Sequence, residues 1–213
     1  MISHALTIIA NELEAHLRSA YAPSNPTEKM VYLGNIAEGV GTVGIPRGII
    51  NLSVVNIKEE KTLKNLPHYV RNDATLTTRY ENPPVFLNFQ ILITATHAQE
   101  KYSDALLALS RVIRFFQFKN VFTQDNVALN SIDQGAPSNA LDQLTSFKLI
   151  FDLYSPTMEE INHLWGTLGG KQYPFVLYTM RLLDLQFKAI QSESGVITEI
   201  VSDFYHKKPV AVS

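Results

Sequence analysis

The strongest constraint on the fold is the segment VFLNFQILITAT, residues 85–96, which alternates like a long β-strand. Successive side chains of a strand point to opposite faces of a sheet, so the segment divides into two sets of residues. One set is apolar and comprises Val85, Leu87, Phe89, Ile91 and Ile93; the other is mixed and comprises Phe86, Asn88, Gln90, Leu92 and Thr94. The pattern predicts one face in the core and one face open to water or a partner, with Asn88 and Gln90 as candidate contacts.

Helical and strand periodicities both occur elsewhere in the chain. Three- and four-residue apolar spacing predicts two helices, through Ile2, Leu6, Ile9, Leu13 and Leu17, and through Tyr102, Ala105, Leu106, Leu109, Val112, Ile113 and Phe116. Alternation predicts further strands over residues 30–33, 50–54, 147–153 and 175–187. The segment that ends at Pro84 is expected to be a long loop. With 213 residues, the chain is long enough for one substantial core.

A helix end and a strand start lie close together in LWGTLGGKQYPFVLYTMRLL, residues 164–183. Ser155 and Pro156 are predicted to begin this helix, and the double glycine is predicted to end it, because glycine adopts a left-handed conformation without strain. The single tryptophan is expected to anchor the helix in the core. The predicted structural residues are Trp165, Gly169, Gly170, Pro174, Tyr178 and Arg181. We expect Arg181 to be partly buried and paired with a carboxylate other than Asp184.

Gly39, Gly41 and Gly44 have the spacing of a dinucleotide-binding fingerprint. That motif works only where a helix begins directly after the last glycine. Pro46 and Gly48 follow instead, and then an alternating strand pattern. The three glycines are therefore predicted to form a flexible loop between two strands, and they are candidate contacts for a partner.

Two further features are candidate contacts. Phenylalanines near the end of the second helix exceed what its apolar stripe needs, so they either cover the end of the sheet or form an exposed aromatic patch. The polar segment 123–139 is predicted to be a long loop, and such loops are usually disordered or engaged by a partner. Deleting residues 125–138 is expected to weaken assembly without disturbing the fold. The candidates in these features are Phe115, Phe118, Phe122, Asp125 and Asn126.

The sequence contains no recognised catalytic or ligand-binding motif. Its six histidines lack zinc-site spacing, and there is no cysteine. Walker, G-x-S-x-G and H-E-x-x-H motifs are absent. A net charge of −2 does not favour a nucleic-acid surface, and no segment has the character of a signal peptide or a membrane span. We therefore predict no enzymatic activity, no catalytic residue, no cofactor and no metal.

Five stretches resemble a known family in the same order along the chain. They are MISHALTIIANELEAHL, LSVVNIKEEKTLKN, PPVFLNFQILITAT, YSDALLALSRVIRFFQFKNVF and MEEINHLWGTLGGKQYPFVLYTMRLL. The matching positions in the last stretch are Leu164, Trp165, Leu168, Gly169, Gly170, Pro174, Tyr178 and Arg181. Over nearly its whole length the chain is similar to the cap, or tail-terminator, proteins of phage-tail-like contractile injection systems of the virulence-cassette and antifeeding-prophage type.

The resemblance implies both a fold and a function. The expected fold is α/β of the α+β type, with a mixed, mainly antiparallel sheet flanked by helices in a single domain over residues 1–205 and a short tail at residues 206–213. The expected function is that of a structural cap, a hexameric ring on the baseplate-distal end of the inner tube and sheath. This ring ends polymerisation and anchors the last sheath ring. The alternative is another structural subunit of the same particle, in the baseplate or as an adaptor.

The resemblance also implies partners and a location. The partners are further copies of the chain, the inner tube protein and the sheath protein, whereas nucleic acid and a membrane span are not expected. The chain is expected to be made in the bacterial cytoplasm and built into an injection particle, which is either released or anchored to a membrane.

Overall fold

The structure is a computed structural model that describes residues 1–21, 28–41, 44–63, 68–73, 75–80, 82–185, 192–195, 199–200 and 202. The chain divides into two compact units. The first unit comprises Met1–Lys64 and Val85–Leu185, and the second comprises Asn65–Pro84 and Gln186–Ser213. The single domain over residues 1–205 stays a prediction, and the predicted tail at residues 206–213 lies outside the described residues.

The described residues form helices and strands in both units. In chain order the elements are α1 (Ile2–Tyr21), β1 (Val31–Leu33), β2 (Ile50–Glu59), β3 (Tyr69–Asn72), β4 (Thr77–Tyr80), β5 (Val85–Ala95), α2 (Tyr102–Phe118), β6 (Val121–Thr123), α3 (Leu129–Asp133), β7 (Lys148–Tyr154), α4 (Met158–Thr167), β8 (Phe175–Leu185) and β9 (Ser192–Gly195). The first unit contains a six-stranded sheet in the order β1-β2-β5-β8-β7-β6. Strand β1 lies parallel to β2, and the other neighbours are antiparallel. This mixed, mainly antiparallel sheet with helices confirms the predicted fold class.

The apolar face of β5 lies in the core of the first unit except at its start, where Val85 is exposed. Phe89, Ile91 and Ile93 are fully buried in a cluster with apolar residues of α1 and α2, which pack on this face of the sheet. Burying a side chain of this size contributes about 1.5–3 kcal/mol. The strand that dominates the sequence pattern is therefore also a central strand of the core.

Helix α2 buries only part of the apolar side that its spacing predicted, together with Phe115 beside it. Its buried residues are Ala105, Leu109, Val112, Phe115 and Phe116, whereas Tyr102, Leu106 and Ile113 are exposed. The reason is that α2 packs on both α1 and the sheet: Phe115 contacts an imidazole ring of α1, and Phe116 stacks on Phe151 with ring centres 4.7 Å apart. Phe122 is buried in the same cluster, and Phe118 is 80% exposed. Phe115 and Phe122 are thus core residues and not surface contacts.

The segment 123–139 is not the long loop that the sequence predicted. It contains α3 and is hydrogen-bonded to the polar side of α1. Glu12 accepts a hydrogen bond from the backbone amide of Ala128 at 3.0 Å, and Asn11 donates to the carbonyl oxygen of Ser131 at 3.0 Å. This side of α1 is therefore covered by residues of the segment 123–139 of the same chain and does not face water.

His4 is a buried link between α1 and the segment that follows β6. Its side chain is 1% exposed. The Nδ1 atom accepts a hydrogen bond from the amide of Leu144, and Nε2 lies within hydrogen-bond distance of the carbonyl oxygen of Ile132, both at 2.9 Å. Because Nδ1 is the acceptor, the proton sits on Nε2, which donates to that carbonyl. Deleting residues 125–138 would therefore disturb the fold, contrary to expectation, since it would leave a buried donor unpaired.

The second unit contains strands where the sequence predicted a loop up to Pro84. Strands β3 and β4 pair antiparallel, with Tyr69 opposite Tyr80 and Asn72 opposite Thr77, and β4 also pairs with β9. Strand β9 lies far along the chain, so this pairing has no local signature in the sequence. The segment GVITEIVSDFYH, from residue 195 onward, has a hairpin-like pattern in the sequence, and it falls largely outside the described residues.

Gly39, Gly41 and Gly44 lie in a loop held by backbone hydrogen bonds. The amide of Gly41 donates to the carbonyl oxygen of Ile45, and the amide of Ile45 donates to that of Gly39, both at 3.0 Å. The loop leads into β2, as predicted, and not into a helix. A methyl group at Gly44 would lie 2.2 Å from the Gly39 carbonyl oxygen, so only glycine fits at this position.

We expect Gly44→Ala to lower the free energy of unfolding by about 1–3 kcal/mol, because the backbone must shift to relieve this contact. Gly166→Ala is the matched control, since a methyl group there meets open space within α4. Alanine favours a helix interior, so the control should raise the free energy of unfolding by about 0.5–1 kcal/mol. Urea unfolding followed by the fluorescence of Trp165 measures both. Equal midpoints for the two variants would contradict the loop geometry.

We expect His4→Ala to lower the free energy of unfolding by about 2–4 kcal/mol, because a buried amide and a buried carbonyl lose their partner. His163→Ala serves as the control: the His163 side chain is 78% exposed, and its loss should change stability by less than about 0.5 kcal/mol. The same urea titration measures both effects. A His4 variant as stable as the control would show that the His4 link does not hold α1 to the chain after β6.

Candidate interface on the open face of the sheet

The second face of the large sheet is only partly covered by helix. Trp165 of α4 packs with Leu92 and Leu177 in a second apolar cluster on this face. Further along the same strands the side chains become polar and are exposed or half-buried. We call this uncovered part the open face; its residues are Asn56, Lys58, Asn88, Gln90, Asp152, Thr179 and Arg181.

Helix α4 is short because both of its ends are fixed. Thr157, rather than the predicted Ser155, caps its first turn: the Thr157 hydroxyl accepts from the amide of Glu160 at 3.2 Å, and the Glu160 carboxylate accepts from the amide of Thr157 at 2.8 Å. This reciprocal capping box satisfies two free amides, which a lone serine cannot do. At the other end Gly169 and Gly170 have φ angles of 93° and 76°, the left-handed conformation that ends helices.

The junction between α4 and β8 holds the helix on the sheet. Trp165 is 5% exposed, and its ring centre lies 5.4 Å from that of Phe175. The amide of Gly170 donates to the carbonyl oxygen of Trp165 at 2.8 Å, and the carbonyl oxygen of Pro174 accepts from the amide of Ala95 at 3.0 Å. These contacts join the end of α4 and the start of β8 to the end of β5.

Tyr178 and Arg181 of β8 lie on opposite faces of the sheet. Tyr178 is buried on the core face, 4.7 Å from Phe116 between ring centres, and burial raises its pKa to about 12. Arg181 lies on the open face, where its guanidinium is 2.5 Å from the carboxylate of Asp152. The Arg181 side chain is 52% exposed, so this pair is a surface ion pair of small energetic value.

The polar side chains of the open face form a row across four strands. Asn56 of β2 is opposite Gln90 of β5, Gln90 is opposite Thr179 of β8, and Thr179 is opposite Asp152 of β7. Because directly opposite residues lie about 4.5–5.5 Å apart, the row is a continuous strip of donors and acceptors. Beside it, Lys58 of β2 is opposite Asn88 of β5.

Hydrogen bonds hold several of these side chains in place. Asn56 donates to Gln90 at 3.0 Å, and Asn88 donates to the Glu60 carboxylate at 2.8 Å. Hydrogen bonds from Thr62 and from Asn88 lower the pKa of Glu60, and the positive charge of Arg181 adds to this effect. Glu60 is therefore ionised at neutral pH, and the charges of Lys58, Arg181, Glu60 and Asp152 balance.

A groove of about 320 Å³ separates α4 from the open face. Gln90, Leu177 and Leu164 line it together with Tyr154, whose hydroxyl donates to Glu160 at 2.7 Å. This hydrogen bond raises the pKa of Tyr154. The backbone amide of Thr157 and the hydroxyl of Tyr154 lower the pKa of Glu160. The groove thus combines an apolar floor with a fixed acidic rim.

The structure gathers only some of the predicted contact residues on the open face. Asn88 and Gln90 lie there together, beside Arg181, which was predicted as a structural residue and not as a contact. The glycine loop lies instead beside the Trp165 cluster, because Ile36 and Ile45 at its two ends pack in that cluster. Asp125 and Asn126 lie in the turn after β6, where the side chain of Asn126 accepts from the amide of Thr123 and donates to the carbonyl of Val121. The additional members of the open face are Asn56, Lys58, Thr179 and Asp152.

The sequence pattern did not predict Asn56 as a residue of the open face, because β2 contains a register shift between Val54 and Asn56. Strict alternation from Ile50 would place Asn56 on the core face, and the extra residue turns it to the open face. Thr179 and Asp152 carry the ordinary polar signal of a half-exposed strand. Only the pairing of β7 with β8 joins them to Gln90.

The open face offers hydrogen-bonding groups, without a nucleophile held by a base. Among the described residues there is no cluster of three or more His, Cys, Asp or Glu side chains that could hold a metal ion. Within the same part of the chain, no helix has the length and apolarity needed to cross a membrane. What the open face can do is bind another surface through a flat set of donors, acceptors and balanced charges.

Two solved structures are similar to this chain in fold. The sheath/tube terminator of PVC, an extracellular contractile injection system in the extended state, is 14% identical with a TM-score of 0.56, covering 100% of this chain and 65% of the other. The tube-terminating cap of the anti-feeding prophage is 14% identical with a TM-score of 0.54, covering 92% of this chain and 60% of the other. The chain therefore spans less than two thirds of the length of either structure. No curated protein sequence matches it.

The sequence match to a protein family is more extensive. The family described as Pvc16 N-terminal domain matches residues 4–199, which extend from the third residue of α1 past the end of β9. The chain belongs to the Pvc16 N-terminal domain family.

Proposed function

We propose that this chain is a structural, non-catalytic cap on the baseplate-distal end of the inner tube and sheath of a contractile injection system. It ends polymerisation there and anchors the last sheath ring. The observation that carries this proposal is the similarity of its fold, over the whole chain, to a sheath/tube terminator, together with its similarity to a tube-terminating cap. The proposed partners are the inner tube protein, the sheath protein and further copies of the chain.

We propose that the cap is a ring of six copies. A closed ring needs two different surfaces on each subunit that fit one another. Among the described residues, β1 pairs only with residues 50–52 of β2, and β6 pairs only with residues 148–150 of β7. The remainder of both outer edges has no described strand beside it. Such edges suit the addition of a strand or arm from a neighbouring subunit, which supports ring or sheath contact at these positions.

The open face is the proposed contact surface on the sheet itself. Its amide and carboxylate side chains are already held by hydrogen bonds, so binding a partner immobilises few free rotamers. Its balanced charges favour a specific polar partner over a strongly charged one. A terminator must bind the last ring and refuse the next subunit, which requires one matching surface and one mismatched surface. The open face serves as the matching surface.

The second candidate is another structural subunit of the same particle, in the baseplate or as an adaptor. A contact surface of this kind also suits such a subunit. The two roles differ in position, so gold labelling of a tagged chain on intact particles separates them. Label at the baseplate-distal end supports the cap, and label at the baseplate supports the alternative.

We expect Arg181→Glu to weaken binding to short tubes made from purified tube protein by about tenfold or more, because it places a negative charge beside Asp152 and removes a donor from the contact surface. Arg114→Glu is the matched control, since Arg114 is an exposed residue of α2, which packs on the other face of the sheet. Co-sedimentation with the tubes measures both variants.

Stability separates a lost contact from a lost fold. Both variants change exposed arginines, so the free energy of unfolding of each should stay within about 1 kcal/mol of the unaltered chain. Equal tube binding by the two variants would remove the open face from the proposed contact surface. If the unaltered chain and both variants all fail to bind tubes, the result would contradict the proposed cap function.

A further inference from the structure

A cavity of about 310 Å³ lies between the end of α1 and the first half of α2, remote from the open face. Leu17 of α1 and Leu107 of α2 give it apolar walls, and Gly48 lies at the turn before β2. Two groups with nitrogen donors, Arg111 and His97, also line it. The cavity therefore combines an apolar surface with one cationic side chain, Arg111, and one anionic side chain, Asp104.

Arg111 is the cationic group of this cavity. Its guanidinium carbon lies 4.3 Å from the ring centre of Tyr21, which is within the range of a cation–π contact. Its Nε atom is buried and has no hydrogen-bond partner among the described residues. No carboxylate of the described chain forms an ion pair with it. Burying the Nε–H donor of a guanidinium without a hydrogen-bond partner is costly, because this donor loses its water without compensation.

His97 is the second nitrogen-bearing residue of the cavity wall. Its Nδ1 atom is buried and has no hydrogen-bond partner among the described residues. Burial lowers the pKa of the imidazole, partly offset by the negative charge of Asp104. Asp104 also lines the cavity but is itself exposed to solvent. Near neutral pH the imidazole is uncharged and either donates or accepts one hydrogen bond at Nδ1, according to its tautomer.

We propose that this cavity is a recognition site for an organic carboxylate, held by Arg111 and assisted by His97. A guanidinium presents a planar fork of donors that matches the two oxygens of a carboxylate. The walls formed by Leu17 and Leu107 accommodate the methylene groups that carry it. The volume lies at the lower end of the range for ligand pockets, which fits one short acidic chain. The carboxylate comes either from an acidic side chain of the tube protein or from a small free dicarboxylate.

The test uses the full chain and glutarate as the probe. Glutarate is titrated while the Nε–H resonances of the arginines are followed by NMR, with sodium chloride at equal ionic strength as the reference. We expect a saturable shift at Arg111 and no saturable shift at Arg114, the exposed arginine of the same helix. Arg111→Lys should weaken glutarate binding by about tenfold, because lysine keeps the charge but loses the fork.

The outcomes decide both the site and the source of its ligand. The proposal is overturned if Arg111 shows no saturable shift, or if Arg114 shows the same shift. Because this titration uses the unaltered chain, its result remains valid even if a variant fails to fold. With the site established, tube binding by Arg111→Gln identifies the source. Weakened tube binding assigns the cavity to an acidic side chain of the tube protein. Unchanged tube binding assigns it to a free dicarboxylate and leaves the proposed cap function untouched.

Discussion

The antiparallel pairing of β5 with β2 on one side and β8 on the other is the interaction on which the first unit depends. It places Ile93 between Leu52 and Val176, and Ile91 between Val54 and Tyr178, so the apolar face of three strands becomes continuous. That face must be removed from water, and burying each large side chain contributes about 1.5–3 kcal/mol. Helices α1 and α2 both pack on this face and cover it.

The open face exists because too little helix remains for the second side of the sheet. Helix α4 has 10 residues and is about 15 Å long, whereas β5 has 11 residues and is about 36 Å long. The capping box at Thr157 and the left-handed Gly169 and Gly170 prevent the helix from growing at either end. The uncovered residues are accordingly polar and paired with one another. The open face is therefore available for a further contact, which the proposed cap function requires.

Sequence periodicity predicted the elements whose pattern lies within the element itself. It did not predict features that depend on pairing or packing with distant segments of the chain. The alternation of residues 85–96 placed Asn88 and Gln90 on the right face, and the double glycine marked the end of α4. The spacing in α2 did not show that Phe115 faces α1, because a helix packed on two surfaces buries more than one stripe. The bulge in β2, which turns Asn56 outward, and the partner of Arg181 both depend on strand pairing that no local pattern reveals.

The most direct test of the cap is the mass of the purified chain in solution, by light scattering, alone and then with short tubes of purified tube protein. The account predicts six times the mass of one chain, either in free solution or on addition of tubes, and tubes that stop growing once the chain is bound. A chain that keeps the mass of a monomer in both conditions, while the tubes continue to grow, would contradict the account.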